Sequence, residues 1–433
     1  MYFKKLKFIL NLIKSEIKQR IYFRKILALF LVPIGLLSSL INLELGFRLL
    51  IKIFVTELVC FDPIVASRIK KLIPTVINRY YKGIPEFGIR NNHRNLEADF
   101  LVIKKYISQR EKGVISIHWR WQIDIFSRNY NLEKILDKYI ILLGADCYGA
   151  EFTLPFLSLM YKGKICNGIV FVAVKNSNTK RRLNLLGFDT IPYGISSDYI
   201  DDTLFNVIPS IKKDIDIIMI ANWNISVKRQ YVLFSALKKI KNPMNVVLVG
   251  FSGSKNSISD VIFLEQFYNI NQHRIYYYED ISQEKINVLL NRSKLSVITS
   301  LMEGGNRACF ESFFSNVPVI ILKENIGIPK EYFNSETGLI ASEKNLHSAI
   351  VQMLDDFYIY SPRNWSLKNI DPLTTQQNIN LFLKDYSAKN NWDWTTDIEG
   401  KKWNNQSFKY LDNNIKSTFL NDFAFIKDAH ISE

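Results

Sequence analysis

Residues 295–322 read as strand, glycine loop, helix, strand, and no other stretch constrains the fold as much. Leu295-Ser296-Val297-Ile298-Thr299 is apolar and β-branched, the composition of a buried strand. A polar loop follows, from Ser300 through Glu303, Gly304, Gly305 and Asn306 to Arg307. Ala308 to Phe314 then reads as a helix start, with Phe310, Phe313 and Phe314 on one apolar face. Asn316 is a helix stop, and Val317 to Leu322 is a second buried strand. Such a unit points free backbone N–H groups and the positive end of a helix at whatever lies over the loop, which favours an anion such as phosphate. Glu303 stands at the loop mouth and Glu311 one turn into the helix, on the same side as Arg307.

The same alternation extends in both directions. Upstream, Ile215 to Ala221 is a strand, and Lys228 and Arg229 sit at the start of a helix running through Leu237. Strands follow at Asn245 to Gly250 and His273 to Tyr278, then a helix from Gln283 to Asn291. Earlier, Val114 to Ile117 is a strand ending at His118, Tyr139 to Leu143 ends near Asp146, and Ile169 to Val174 precedes a helix around Thr179 to Leu186. Strands alternating with helices predict parallel sheets, whose ligands sit beyond the carboxyl ends of the strands. His118 stands at such an end, and Asp124 and Asp146 are further acidic candidates. Residues 62–110 read as helical and polar, and the tail from Ser361, rich in Trp and Asn, reads as helical.

A chain of 433 residues with 48% hydrophobic content is long enough for two domains with real cores. Cys60, Cys147, Cys166 and Cys309 are scattered with no C-x-x-C pair, which excludes a disulfide framework and a structural zinc site. The five histidines show no metal-ligand spacing, so no metal is expected. The net charge is +15, and residues 1–25 carry Lys4, Lys5, Lys7, Lys14, Lys18, Arg20, Arg24 and Lys25 against Glu16 alone. Leu6, Ile9, Ile13, Ile17 and Ile21 recur at helical spacing beneath that charge, the pattern of a helix lying on an anionic membrane surface or of a surface helix with a solvated basic face, and the apolar stretch that follows favours the membrane. Ile26 to Leu43 then contains no charged residue but is interrupted by Pro33 and Gly35. Three readings compete for it: a single span, a hairpin dipping into one leaflet, and a buried helix pair. No RNA-binding signature accompanies the charge, and its clustering at one end argues against nucleic acid as a partner.

The Glu303 to Glu311 spacing, with Ser300 before it and the Pro318-Val319 strand after it, resembles the E-x7-E signature of retaining glycosyltransferases of the GT-B architecture, family 4 in particular. The resemblance covers about Val114 to Asp385, and Pro192-Tyr193-Gly194-Ile195 is similar to the family's interdomain turn. It implies an α/β fold of two Rossmann-like domains facing a cleft. The expected organisation is a helical, membrane-associated region over 1–85, an acceptor domain over 86–205, a nucleotide-sugar donor domain over 206–360 and a helical tail over 361–433. It also implies that Glu303, with Ser300, Gly304, Gly305, Asn306 and Arg307, holds the donor, and that Glu311 holds the ribose hydroxyls. Lys228 carries over onto the cation at the leaving diphosphate. The family's arginine five positions earlier falls on Trp223, which leaves Arg229 or Arg307 for the second cation. His118 falls near the anomeric centre, so the catalytic set is His118, Glu303 and Lys228.

The resulting expectation is a hexosyltransferase at the cytoplasmic face of a bacterial membrane. It takes a sugar from a nucleotide-sugar co-substrate, with no metal or other cofactor, to a lipid-linked or polysaccharide acceptor in cell-surface glycan biosynthesis, with retention. Two alternatives stay open. A nucleotide-sugar epimerase on the same fold converts its substrate without an acceptor, and a non-catalytic membrane-tethered binding protein consumes none.

Overall fold

Phe100-Leu101-Val102-Ile103 places four apolar residues in a row, and it forms a strand where the sequence had suggested a polar helical stretch. The reason is burial on both faces, which removes the alternation that marks a half-buried strand. The structure, a computed structural model of the chain, describes residues 34, 100–117, 130–145, 168–173, 184, 188–192, 200–253, 256–301, 303, 306–404 and 407–430. They divide into two units. One takes the described residues up to Pro192 together with 375–430, and the other takes 200–374.

The first unit is built on five strands in the order of the chain: β1 (Phe100–Lys104), β2 (Gly113–Ile117), β3 (Tyr139–Ala145), β4 (Ile169–Ala173) and β5 (Asp189–Pro192). β1 is antiparallel to β2, and β2 through β5 are parallel. The helix Leu132–Lys138 leads into β3 and is capped by Asn131, whose side chain accepts from the Lys134 N–H.

The second unit carries a six-stranded sheet, all parallel: β6 (Ile215–Ile220), β7 (Asn245–Gly250), β8 (Arg274–Glu279), β9 (Ser293–Ile298), β10 (Val319–Leu322) and β11 (Gly338–Ala341). Their order across the sheet is β11-β10-β9-β6-β7-β8. The chain winds outward from β6 to β8, then returns to β9 and winds the other way. Alternate residues feed two cores. Val246, Leu248, Leu295, Val297, Ile320 and Leu322 join one, with the helices Gln230–Leu237 and Leu346–Asp356. Val247, Val249, Ile298, Val319 and Ile321 join the other, with Phe310, Phe313 and Phe314 of the helix Arg307–Phe314. Both faces of β7, β9 and β10 are therefore covered, which is why these strands read as largely apolar runs, whereas the edge strand β8 is exposed or half-buried.

The tail is not wholly helical: it contains a hairpin of β12 (Lys401–Asn404) and β13 (Ser407–Tyr410). The hairpin belongs to the first unit and packs on that unit's sheet. Lys104 Nζ donates to Glu111 at 2.7 Å, and Glu111 accepts from the Thr395 N–H and Oγ1, both at 2.8 Å. Burial opposes the charge on Glu111, but hydrogen bonds from Lys104 and Thr395 more than offset it and hold its pKa at about 2. Tyr410 Oη donates to the Val102 carbonyl, and Tyr139 Oη donates to Asp422, each at 2.7 Å. Lys401 Nζ, buried, donates to Ser116 Oγ in β2, and burial lowers its pKa to about 7.

Candidate functional site

The reversal of direction in the second sheet lies between β6 and β9, and ligands of open α/β sheets sit at that switch point, outside the carboxyl ends of the strands. The junctions after β6 and β9 are therefore the place to look. After β6 the chain runs through Asn222, Trp223 and Asn224 into a short helix, Ile225–Lys228, then turns at Arg229 into the helix Gln230–Leu237. After β9 it runs through Thr299, Ser300 and Glu303 to Asn306, which caps the helix Arg307–Phe314 by accepting from the Cys309 N–H at 3.0 Å.

The two junctions meet at a charge pair. Lys228 Nζ donates to both Glu303 oxygens, at 2.7 and 2.9 Å, with side-chain exposures of 19% and 8%. The two residues singled out separately in the sequence are thus in contact. Glu303 is held from behind: its N–H donates to the Ile326 carbonyl at 2.8 Å, and the Ile326 N–H donates to the Leu301 carbonyl at 2.7 Å. Ser300 is buried, its carbonyl accepting from Asn325 Nδ2 at 2.8 Å. Asn325 and Ile326, on the loop after β10, were not expected at the site, because their contribution is contact with its backbone.

Glu311 lies inward on the helix that Asn306 caps. It is buried, and burial raises its pKa, opposed by the positive charge of Arg307 one turn earlier. Among the described residues no group hydrogen-bonds to its carboxylate. A buried carboxylate left so is costly to a fold and favours a ligand that brings donors. Cys309 is buried beside this loop, and burial first, then the charge of Glu303, pushes its thiol pKa up. It serves as packing rather than as a nucleophile.

Trp223, at the position where the resemblance places an arginine, is buried in the core, and its indole N–H donates to Glu279 at 2.5 Å. Gly250 is required beneath it, since a Cβ there would collide with the indole ring. Arg229 calls for a correction. Expected at the diphosphate, its side chain is wholly buried. Its guanidinium donates to Glu343 at 2.7 Å, to Tyr231 Oη at 3.0 Å and to the Thr299 carbonyl at 3.3 Å. A guanidinium with no exposed surface cannot meet an incoming phosphate. Glu343 and Thr299 had no signature in the sequence that linked them to Arg229. Arg307 is half-buried at the helix start, on the side of Glu311. His118, Gly304, Gly305, Asp124 and Asp146 lie outside the described residues.

The junctions beyond β6 and β9 thus carry a lysine, its paired carboxylate, an unbonded buried carboxylate and the start of a helix. That set suits a ligand with both an anionic group and hydroxyls.

Residues 201–364 match the family model described as Glycosyl transferases group 1. No curated protein matches the chain. Among solved structures, sucrose-phosphate synthase from Thermosynechococcus elongatus is similar at 18% identity and a TM-score of 0.48, over 64% of this chain and 74% of that one. Anabaena Alr3699/HepE in complex with UDP is similar at 14% identity and a TM-score of 0.48, over 63% and 78%. The lipopolysaccharide outer core galactosyltransferase WaaB is similar at 14% identity and a TM-score of 0.44, over 61% and 80%. Residues 201–364, which carry the switch point and the site, are thus similar to the glycosyl transferases group 1.

Proposed function

We propose that the chain moves a sugar from a nucleotide-sugar donor to a lipid-linked or polysaccharide acceptor, with retention, in cell-surface glycan assembly at the cytoplasmic face of a membrane. The observation that carries the donor part is the Lys228–Glu303 pair at the switch point, followed in the chain by the helix that bears the unbonded Glu311. On this reading the site holds its own charges against each other until a donor arrives. Donor entry exchanges partners: Lys228 turns to the diphosphate, and Glu303 accepts hydrogen bonds from sugar hydroxyls. Glu311 accepts from the ribose hydroxyls, and the N–H groups at the start of the helix Arg307–Phe314 face the anion. As the bond to the leaving diphosphate breaks, Lys228 stabilises the charge that develops there. No metal enters this account, and His118 is its candidate for contact with the transferred sugar.

The acceptor and membrane parts rest on the sequence. The basic residues 4–25 suit an anionic surface, and a polyprenyl-linked acceptor would lie there. Among the described residues no helix is long and apolar enough to cross a membrane, and Ile26–Leu43 lies almost wholly outside them. The test is calorimetry of the full chain with UDP, GDP and ADP, followed by turnover of the matching nucleotide sugars with and without lipid-linked acceptor. Consumption that requires the acceptor and is lost in Glu311→Ala supports the proposal. Conversion without acceptor points to an epimerase, and no consumption with Glu311→Ala indistinguishable from wild type overturns it.

A further inference from the structure

Arg229, expected at the donor, is turned away from it, and its geometry gives it a different task. Its backbone is left-handed, with φ 57° and ψ 46°, an unusual conformation for a residue with a side chain. It joins the two helices of the β6 junction, closing the first by donating its N–H to the Ile225 carbonyl at 2.9 Å and starting the second. The turn is braced against the other junction. Thr299 Oγ1, immediately after β9, donates to the carbonyls of Lys228 at 2.7 Å and Arg229 at 3.0 Å. Arg229 Nη1 returns a hydrogen bond to the Thr299 carbonyl. Beyond it Glu343, from the segment after β11, fixes the guanidinium. Lys228 is thus clamped through its own carbonyl to the residue that begins the Glu303 loop.

We propose that Arg229 is a positioning residue for the donor site: it ties the β6 junction to the β9 junction and thereby sets Lys228 within reach of Glu303 and of the donor diphosphate. It touches neither donor nor acceptor and acts only through Lys228. The arrangement brings together residues distant in the sequence, Arg229, Thr299 and Glu343, around one backbone turn. The inference deepens the donor-site reading above and rests on it for its effect on nucleotide binding, but not for its effect on Lys228 itself.

The test uses the full chain with Arg229→Gly, Arg229→Lys, Glu343→Gln, Lys228→Ala and the double variant Lys228→Ala/Arg229→Gly. Glycine suits the left-handed turn, so it removes the guanidinium without straining the backbone. Lysine keeps the charge but cannot fork to Glu343 and Thr299. Two readouts are taken, each with thermal unfolding recorded alongside. The first is the rate at which Lys228 is acetylated by a soluble N-hydroxysuccinimide ester, followed by mass spectrometry without any nucleotide. Arg229→Gly and Glu343→Gln are expected to react several-fold faster than wild type, with Arg229→Lys between. The second is calorimetric affinity for UDP, GDP and ADP. Arg229→Gly is expected to lose roughly tenfold and the double variant no more than Lys228→Ala alone, since the two residues act as a unit. Unchanged Lys228 reactivity in folded Arg229→Gly or Glu343→Gln, or losses in affinity that simply add, overturn the proposal. If wild type binds none of the nucleotides, the donor reading fails, and the acetylation rates still decide whether Arg229 positions Lys228.

Discussion

Both units bury a lysine against a glutamate, and the two pairs do opposite things. In the first unit Lys104 and Glu111 are almost wholly enclosed, and Thr395 fills the acceptor positions that the lysine leaves on the carboxylate. In the second, Lys228 keeps 19% of its side chain exposed against Glu303, and Glu311 on the helix that follows accepts no hydrogen bond among the described residues. A saturated pair pins one part of a fold to another. A buried carboxylate that accepts no hydrogen bond, as Glu311 does not, is poised to take the donors of a ligand. The difference separates staple from site more reliably than burial alone, since Glu303 and Glu111 are both buried.

The sharpest way to break this comparison is to disarm the site. Lys228→Ala and Glu303→Ala are each expected to lower turnover of the donor by about 10²–10³-fold in kcat, with unfolding midpoints close to wild type. A kcat within a few-fold of wild type would make that pair a second staple. Next comes the staple itself. Glu111→Gln leaves Lys104 buried without its counter-charge and is expected to destabilise the chain by about 3–5 kcal/mol in denaturant titration. Because the pKa of Glu111 is about 2 in the folded chain, against 4.5 as its ordinary value, its contribution is complete above about pH 4.5 and is lost as pH falls toward 2. The variant should therefore flatten that acid limb.

A smaller effect sharpens the contrast. Glu311→Gln is expected to weaken nucleotide binding roughly tenfold, the worth of one charge-assisted hydrogen bond. It should also raise the unfolding midpoint at neutral pH, because burial raises the pKa of Glu311 and its ionised form therefore costs stability once the pH exceeds the unfolded value. A residue that improves binding while costing stability belongs to a site, and a fall in midpoint would argue that Glu311 is structural. The smallest expected effect concerns Lys401, whose pKa is lowered to about 7 by burial alone. The cost of charging it is present below pH 7 and disappears as pH rises toward the ordinary value of 10.5. Lys401→Met is therefore expected to stabilise by about 1 kcal/mol at pH 6, with the gain shrinking by about pH 10.

The second unit was largely readable in the sequence, and the reason is local. Asn245 to Gly250 is a strand with the bounds expected of it, and β6, β8 and β9 fall within two residues of theirs. β6, β7 and β9 are bounded by polar loops and largely buried, so composition marks them, and β8, which is exposed or half-buried, is marked by its run of tyrosines. Asn316 stops its helix in a left-handed conformation, as asparagine can. What stayed hidden depends on distant parts of the chain. Arg229 looked like a free cation because Glu343, which occupies it, lies 114 residues away. β1 read as part of a polar helical stretch because the residues that cover it come from the other end of the chain. The hairpin β12–β13 sits in a tail whose tryptophans and asparagines carry no period of either kind.

The way the tail closes over β1 and β2 has a consequence for the birth of the protein. The first unit is interrupted: its sheet is synthesised early, but Thr395, Lys401 and Tyr410 emerge from the ribosome only after all of 200–374. The described residues of the second unit all lie within 200–374, so it should fold while translation continues. The first must wait with Lys104 and Glu111 exposed to each other but not yet to Thr395. A nascent chain stalled at about residue 410, with 200–374 clear of the ribosomal exit tunnel and Thr395, Lys401 and Tyr410 still inside it, is therefore expected to resist protease over 200–374 while remaining sensitive over 100–192.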